Sequence, residues 1–460
     1  MDHLDRSSVY AWLTMSSQVL LMIFIIPVAT VNLGQSSLAL WLSALLLVSL
    51  SSVADFGVYN TIVRTLPFVK SGKSIPEFSE VLALHNKNIH ALEDEAIDVD
   101  DIPSKINSLV AFGLKQILFS SVLASIIGLL IGYFMYQGRS DSFLNLNFIF
   151  TIFFYWLVIP TYALGRFFES ILLGSDQVSK AKKNESISVL LRTVLLSAFI
   201  LSSMPIFWLG LIHFLSCLIQ LVLNIFCVSE KPLRGFKFTN FQKYLSQFSV
   251  KDRSNFTKGQ YRFGVNLFST YIIMNAGPIA VTGMKSDETV SFYLILVRML
   301  LVVKQFAQVP LIVSVPQLVK YRSDLSIKNL LDMFSKRGAI TIALYLIGLP
   351  ISLFYIYLLF NQSGVDYLYY WFLLSFIIFL ELNHSNHAQL VLTKNVQPFL
   401  IPSFLAAGLC ATLMFPIFDK FGIIGIIFLQ GAVQLICSNW YSIYLNVKEF
   451  NNLKLIFYKS

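Results

Sequence analysis

The chain has 460 residues, of which 56% are hydrophobic, 15% aromatic and only 13% charged, with a formal net charge of +9. A water-soluble domain carries about 25% charged residues, so this composition excludes a soluble enzyme of this length and points to a polytopic membrane protein. The basic excess fits membrane topology and anionic lipid better than nucleic acid, which is not expected as a partner.

A helix needs about 20 apolar residues to cross ~30 Å of hydrocarbon, and its backbone must satisfy itself internally. Twelve such runs occur near 9–33, 37–63, 109–136, 147–173, 187–203, 206–228, 263–284, 290–318, 338–360, 366–392, 396–418 and 422–446. The fold class expected is therefore all-α and polytopic, with about twelve transmembrane helices. The first run is too long for the apolar core of a cleavable signal and is read as a retained first helix.

Span two carries Asp55 in the run Asp55-Phe56-Gly57-Val58-Tyr59-Asn60, with Arg64 after it. Glycine and small polar side chains there permit close packing or local unwinding, and Asp55 is in a position to meet a cation from another span. The segment 64–108 begins basic and turns acidic over 93–101, which reads as a solvated helix or partly disordered insert, with partner docking the minority reading. Lys115 lies near the start of span three, where a lysine can snorkel to the interface.

Span four holds Arg166 and Glu169, three apart and so on one helix face. The pair is either a private salt bridge or part of a charged cavity lining. Arg192, in span five, is again placed for snorkelling. The polar segment 229–262 interleaves eight basic residues with aromatic ones and reads as an amphipathic interfacial linker. It divides the chain into an N-terminal lobe, 1–228, and a C-terminal lobe, 263–460, with six spans each.

Span eight holds Arg298 and Lys304 with no acid in the same span. Charges at membrane depth are costly and face a cavity or a partner. Span ten holds Glu381, His384 and His387 at a spacing of three, with Asn383 and Asn386 between them. A carboxylate beside imidazoles in low dielectric is suited to proton exchange; the plainer reading is a helix–helix hydrogen-bond network.

With the N-terminus in the cytoplasm, the cytoplasmic segments hold 26 Lys and Arg residues and the outer loops three, Arg139, Lys285 and Lys420. This asymmetry places both termini inside. The four cysteines, Cys217, Cys227, Cys410 and Cys437, all fall within spans without CxxC spacing and read as small apolar side chains. There is no zinc-type ligand spacing and no phosphate-binding, nucleophile-elbow or dinucleotide motif. No cofactor or metal is expected, and energy must come from an ion gradient (H+ or Na+), from substrate supply or from a partner.

The stretch from Leu40 to Arg64, an aromatic-led apolar run closing on Asp55, Phe56, Gly57, Asn60 and Arg64, resembles the second helix of polysaccharide-unit flippases. These are the O-antigen and teichoic-acid type transporters of the multidrug/oligosaccharidyl-lipid/polysaccharide exporter superfamily. The resemblance implies two six-helix lobes around a cationic central cavity in the bacterial inner membrane. It also implies an undecaprenyl-pyrophosphate-linked oligosaccharide as substrate, turned between leaflets by alternating access, and glycosyltransferases and a polysaccharide polymerase as working partners. The cations suited to a pyrophosphate are then Arg166, Arg298 and Lys304, with Arg192 and Lys115 guiding entry. Asp55, Arg64, Glu169, Glu381, His384 and His387 are the candidates for charge pairing or coupling.

Three rivals remain. A cation or drug exporter of the same superfamily should be acid-rich in the membrane, whereas the spans hold three acids against five cations. A polymerase or ligase of lipid-linked sugars needs a large outer loop, and the longest here is 137–146. A non-transporting scaffold has no use for buried cations.

Overall fold

A computed structural model describes residues 10, 13–14, 16, 25–72, 75, 101–136, 146–202, 204–230, 233, 236–283, 286–323, 326–360, 367–393 and 398–457. Most of the first span, the acidic run up to Asp100, and the outer cations Arg139 and Lys285 lie outside the described residues.

The described chain is helical throughout. In order it forms α1 (Ile26–Asn32), α2 (Gln35–Ser51), α3 (Val58–Lys70), α4 (Ile102–Tyr136), α5 (Leu146–Gly174), α6 (Val178–Leu201) and α7 (Phe207–Glu230). The short α8 (Phe241–Gln247) follows, then α9 (Val250–Thr282), α10 (Asp287–Ser323), α11 (Ile327–Phe360), α12 (Tyr367–Leu392), α13 (Leu400–Val433) and α14 (Trp440–Phe457). Among the described residues, eight stretches are long and apolar enough to cross a membrane. The chain is thus an all-α, multi-pass membrane protein.

Helix starts follow local chemistry. Ser249 and Asp252 open α9 as a reciprocal cap: the Asp252 amide donates to Ser249 Oγ at 3.0 Å, and that hydroxyl donates to Asp252 Oδ2 at 2.7 Å. Asp287 and Glu288 place negative charge on the first turn of α10, where the helix dipole favours it. Several helices run further than their apolar cores. The stretch read as a linker gives everything from Val250 onward to α9, and α6 starts at Val178 although its apolar run begins near 187.

Span two is not one helix. The chain leaves α2 at Ser51 and re-enters helix only at Val58, with Phe56 at φ 42° and Gly57 at φ 83°. Gly57 is required at this break. A Cβ there would lie 2.4 Å from the backbone oxygen of Gln260 and 2.6 Å from the amide nitrogen of Gly264 on α9. The facing Gly264 has the mirror constraint, its Cβ falling 2.5 Å from the Phe56 carbonyl oxygen. At the other end of the chain, Gly422 (φ 62°, ψ −149°) separates two helices within Leu400–Val433, which accounts for spans eleven and twelve. A π-helical stretch, Gln434–Asn439, joins α13 to α14.

Packing divides the chain into two compact units. One comprises Met1–Leu21 with Val31–Tyr271, the other Met22–Thr30 with Ile272–Ser460. The core of the first is built on Trp41, Tyr155, Phe167 and Phe256, and that of the second on Phe292, Tyr293 and Tyr345. Lipid offers no hydrophobic drive between helices, so polar groups add glue. Trp156 donates to the Ser125 carbonyl at 2.9 Å in the first unit, and Tyr345 to the Ser375 carbonyl at 2.8 Å in the second. Large apolar side chains stand on the outside instead: Phe119 and Val122 on α4, Ile347 and Phe354 on α11, Ile401 and Phe404 on α13.

Candidate functional site

Intramembrane charges form one ion-paired cluster in each unit. In the first, Arg166 and Glu169 on α5 form the pair their spacing suggests, with Nη1 3.3 Å from Oε2. Glu169 is completely buried, and a second cation reaches it from α6: Lys182 Nζ lies 3.5 Å from Oε1. Lys182 also meets Glu185 Oε2 at 2.6 Å. The guanidinium of Arg166 lies over the ring of Tyr59 on α3, 3.6 Å from its centroid, a cation–π contact.

A polar ladder fixes this register. Asn224 on α7 donates to the Gly165 carbonyl of α5 at 3.1 Å, and Asn184 on α6 donates to Asn224 Oδ1 at 2.9 Å. The tight turn through Asp176, at φ 61°, folds α6 back along α5 and brings Lys182 onto Glu169. Lys182 and Glu185 escape a hydropathy reading because they precede the apolar part of α6. The signal available was their spacing of three, just after a helix ending in a buried acid.

The cluster has a front and a back. Arg166 and Lys182 each keep 26% side-chain exposure and Glu185 keeps 22%, while Glu169 keeps none. The accessible side therefore presents two cations and one carboxylate. Asp55 sits close by but spends its carboxylate on backbone, accepting from the amides of Gly57 at 3.3 Å and Tyr59 at 3.0 Å. It caps α3 after the break and places Tyr59 beneath Arg166. Arg64, two turns on, lies over Phe263 at 4.6 Å.

Arg192 does not simply snorkel. Its Nη1 lies 3.0 Å from Nε2 of the buried His213 on α7, a partner the sequence reading missed because a lone histidine in an apolar run has no periodic signal. Lys115 is exposed on α4.

In the second unit, Lys304 does have an acid: Glu381 Oε1, from α12, is in direct contact with Nζ. Both side chains are nearly buried, at 11% and 14% exposure. The absence of an acid within span eight holds, but Lys304 is compensated from a neighbouring helix. Arg298 is half-buried on the same helix. The polar stripe of α12 is drawn to three different neighbours. Glu381 goes to Lys304, the His384 ring packs edge-on against Phe399, and His387 Nδ1 lies 3.2 Å from Asn446 Nδ2 on α14. Glu381, His384 and His387 are thus each held by a different neighbouring residue. Asn383 adds a bond to Asn439 at 2.8 Å, and Arg322 binds Glu449 at 2.6 Å and the Leu390 carbonyl at 3.2 Å. Among the described residues, no three His, Cys, Asp or Glu side chains are grouped to hold a metal ion.

Comparison with known proteins identifies the fold. No protein-family model matches the sequence, and no curated protein matches it. The structure is similar to an inward-facing multidrug resistance MATE family transporter of the MOP superfamily, with TM-score 0.63, 11% identity, and coverage of 95% of this chain and 98% of the other. An outward-facing MATE family transporter gives TM-score 0.56 at 11% identity, covering 98% and 96%. A MOP superfamily transporter from Pyrococcus furiosus, described by the reverse polarity of its binding pocket, gives 0.54 at 11% identity, covering 96% and 94%. At these identities the likeness is one of fold, over essentially the whole length of each chain.

Proposed function

We propose that this chain is a transporter of the MOP type whose substrate is anionic and lipid-linked: an undecaprenyl-pyrophosphate oligosaccharide, flipped across the bacterial inner membrane by alternating access. The observation that carries this reading is the polarity of the first cluster. Glu169 is buried at the back, while Arg166 and Lys182 share the accessible side with Glu185, two cations against one carboxylate. A cationic drug needs the reverse arrangement, with a carboxylate forward. A pyrophosphate concentrates negative charge, and a guanidinium can bind it through two parallel hydrogen bonds. Arg192 and Arg298, both half-buried, would supply further positive charge, and Lys115 and Arg64 would guide the headgroup. The match of Asp55, Phe56, Gly57, Asn60 and Arg64 to the flippase second helix supports the same substrate class. The neighbour described as having a reversed pocket polarity indicates that the fold tolerates such a change.

Coupling to H+ or Na+ is part of this proposal, with Glu169 and Glu381, each in contact with a cation from a neighbouring helix, as the acids to test. Glycosyltransferases on the cytoplasmic side and a polymerase outside are the partners it requires.

The test is reconstitution of the full chain into liposomes carrying a lipid-linked oligosaccharide. Appearance of the sugar in the outer leaflet is followed by enzymatic removal of its terminal residue. Wild type should accelerate flipping. Arg166→Ala should slow it by roughly 10–100-fold, the scale of losing a charge-assisted bond worth ~1.5–3 kcal/mol, with the protein still monodisperse. Wild-type vesicles that leave the sugar lipid untouched but extrude cationic dyes against a proton gradient would establish the exporter reading instead.

A further inference from the structure

A cavity of about 340 Å³ lies within the first unit, walled by α2 and its break, α4 and α9. That volume falls in the range of small-molecule pockets, about 300–1,000 Å³. It abuts the break that holds Asp55, whose neighbours Ala54 and Phe56 line it, and Lys115, which the transport reading places at headgroup entry, directly precedes Gln116 of its wall.

Its polarity is graded. At the end where α4 and α9 begin, the wall carries Gln116, Thr257, Gln260 and Tyr261. Deeper, it carries Leu50, Ala124, Ile127 and Phe268. From Gln116 to Ile127 the helix rises ~16 Å at 1.5 Å per residue, about half of the ~30 Å hydrocarbon thickness. The cavity therefore extends over about half the hydrocarbon thickness, polar at the end nearer the start of α4 and apolar at the other. Its rim includes Phe119 and Leu123, 71% and 49% exposed, so it opens onto an apolar face of α4.

Two exposed lysines lie beside the polar residues of the wall in sequence, and one acceptor in that wall lacks a donor among the described residues. Lys115 is exposed one turn before Phe119 on the same face of α4, and Lys258 is exposed one turn before Tyr261 on α9. Gln260 is 7% exposed, and among the described residues its Oε1 has no hydrogen-bond partner. A buried amide oxygen without a donor is costly.

We infer that this cavity is a binding site for an anionic phospholipid of the cytoplasmic leaflet with a hydroxylated headgroup. One acyl chain fills the apolar depth against Ala124 and Phe268. The phosphate lies at Lys115 and Lys258, and the hydroxyls supply the donor at the Gln260 end. The charge and donor pattern matches phosphatidylglycerol and mismatches phosphatidylcholine, whose choline brings a like charge and no donor. This inference concerns a resident lipid and shares only Lys115 with the transport reading, so Lys258→Glu is the variant that tests the lipid site by itself.

The full chain, stripped of lipid in detergent and re-exposed to each lipid, is examined by native mass spectrometry. Phosphatidylglycerol should give a persistent one-to-one adduct and phosphatidylcholine should not. Lys115→Glu and Lys258→Glu should each lower occupancy by at least roughly fivefold, the equivalent of ~1 kcal/mol per lysine near an anionic headgroup. Ala124→Trp, which fills the apolar end, should abolish the adduct. A second measurement avoids variants that fail to fold. Wild type in phosphatidylcholine vesicles doped with phosphatidylglycerol bearing a photoreactive group mid-chain should be labelled within 116–127 and 257–268. Equal binding of the two lipids, or labelling spread over the exposed face of α11 at Ile347 and Phe354, would overturn the site.

Discussion

The second unit holds a pair whose meaning turns on single residues, Lys304 and Glu381. They come from α10 and α12, in contact and nearly buried. Removing one member of a buried pair leaves a charge without compensation and costs about 3–5 kcal/mol, whereas replacing both with apolar residues of like volume is often neutral or better. Lys304→Ala and Glu381→Gln should therefore each lower the thermal midpoint in detergent by several degrees or more. The double variant Lys304→Met with Glu381→Leu should regain most of that loss. If the double variant is stable yet transport is gone, the pair serves transport; if transport is intact, it is scaffold. Loss of stability that simply adds in the double variant would show that the two side chains act separately. The sequence revealed one of the two charge pairs and not the other for a geometric reason. Arg166 and Glu169 lie three apart on one helix, so spacing alone aligns them. Lys304 finds its acid 77 residues away, and nothing in the local pattern links spans eight and ten.

Among the elements, the break between α2 and α3 matters most to the first cluster. Asp55 caps α3, and α3 carries Tyr59 to the guanidinium of Arg166. The Asp-Phe-Gly run signalled unwinding, and the hydropathy of 37–63 signalled a continuous span; both are partly right, because apolar flanks do not report a helix break over six residues. Where polar residues continue a helix beyond its apolar core, as in α6 and α9, hydropathy ends the element early, and so Lys182 and Glu185 were read as loop. Gly57→Ala tests the break. It forces a Cβ to 2.4 Å from the Gln260 oxygen at φ 83°, and backbone strain of this kind costs ~1–3 kcal/mol before the clash is added. Gly408→Ala on α13 is the control, with nothing within 4 Å of the added carbon and a helix-propensity gain of up to ~1 kcal/mol. Thermal unfolding should show the first well below wild type and the second equal to or above it. Equal effects would mean the close approach of α3 to α9 does not constrain the fold.

For the molecule as a whole, the fold rests on helix length and order, and its orientation on charge. The long helices provide the length, and Gly422 divides Leu400–Val433 into the last two spans. With 26 basic residues on one side and three on the other, insertion the other way would carry many cations across the bilayer, and Lys and Arg in short loops set the orientation. Fusions of a periplasm-dependent reporter at Asp141, Lys285 and Asp419 should be active, and fusions at Glu93 and Lys243 silent, with a cytoplasm-dependent reporter giving the opposite pattern. Asp419 is the most informative position, since it lies three residues before Gly422, where the chain must turn. An active reporter there requires an even number of crossings between Lys285 and Asp419, and it also requires the helical run of α13 to be two spans rather than one long interfacial rod. A silent reporter at Asp419 with an active one at Lys285 would break the arrangement in which each half of the chain contributes six spans.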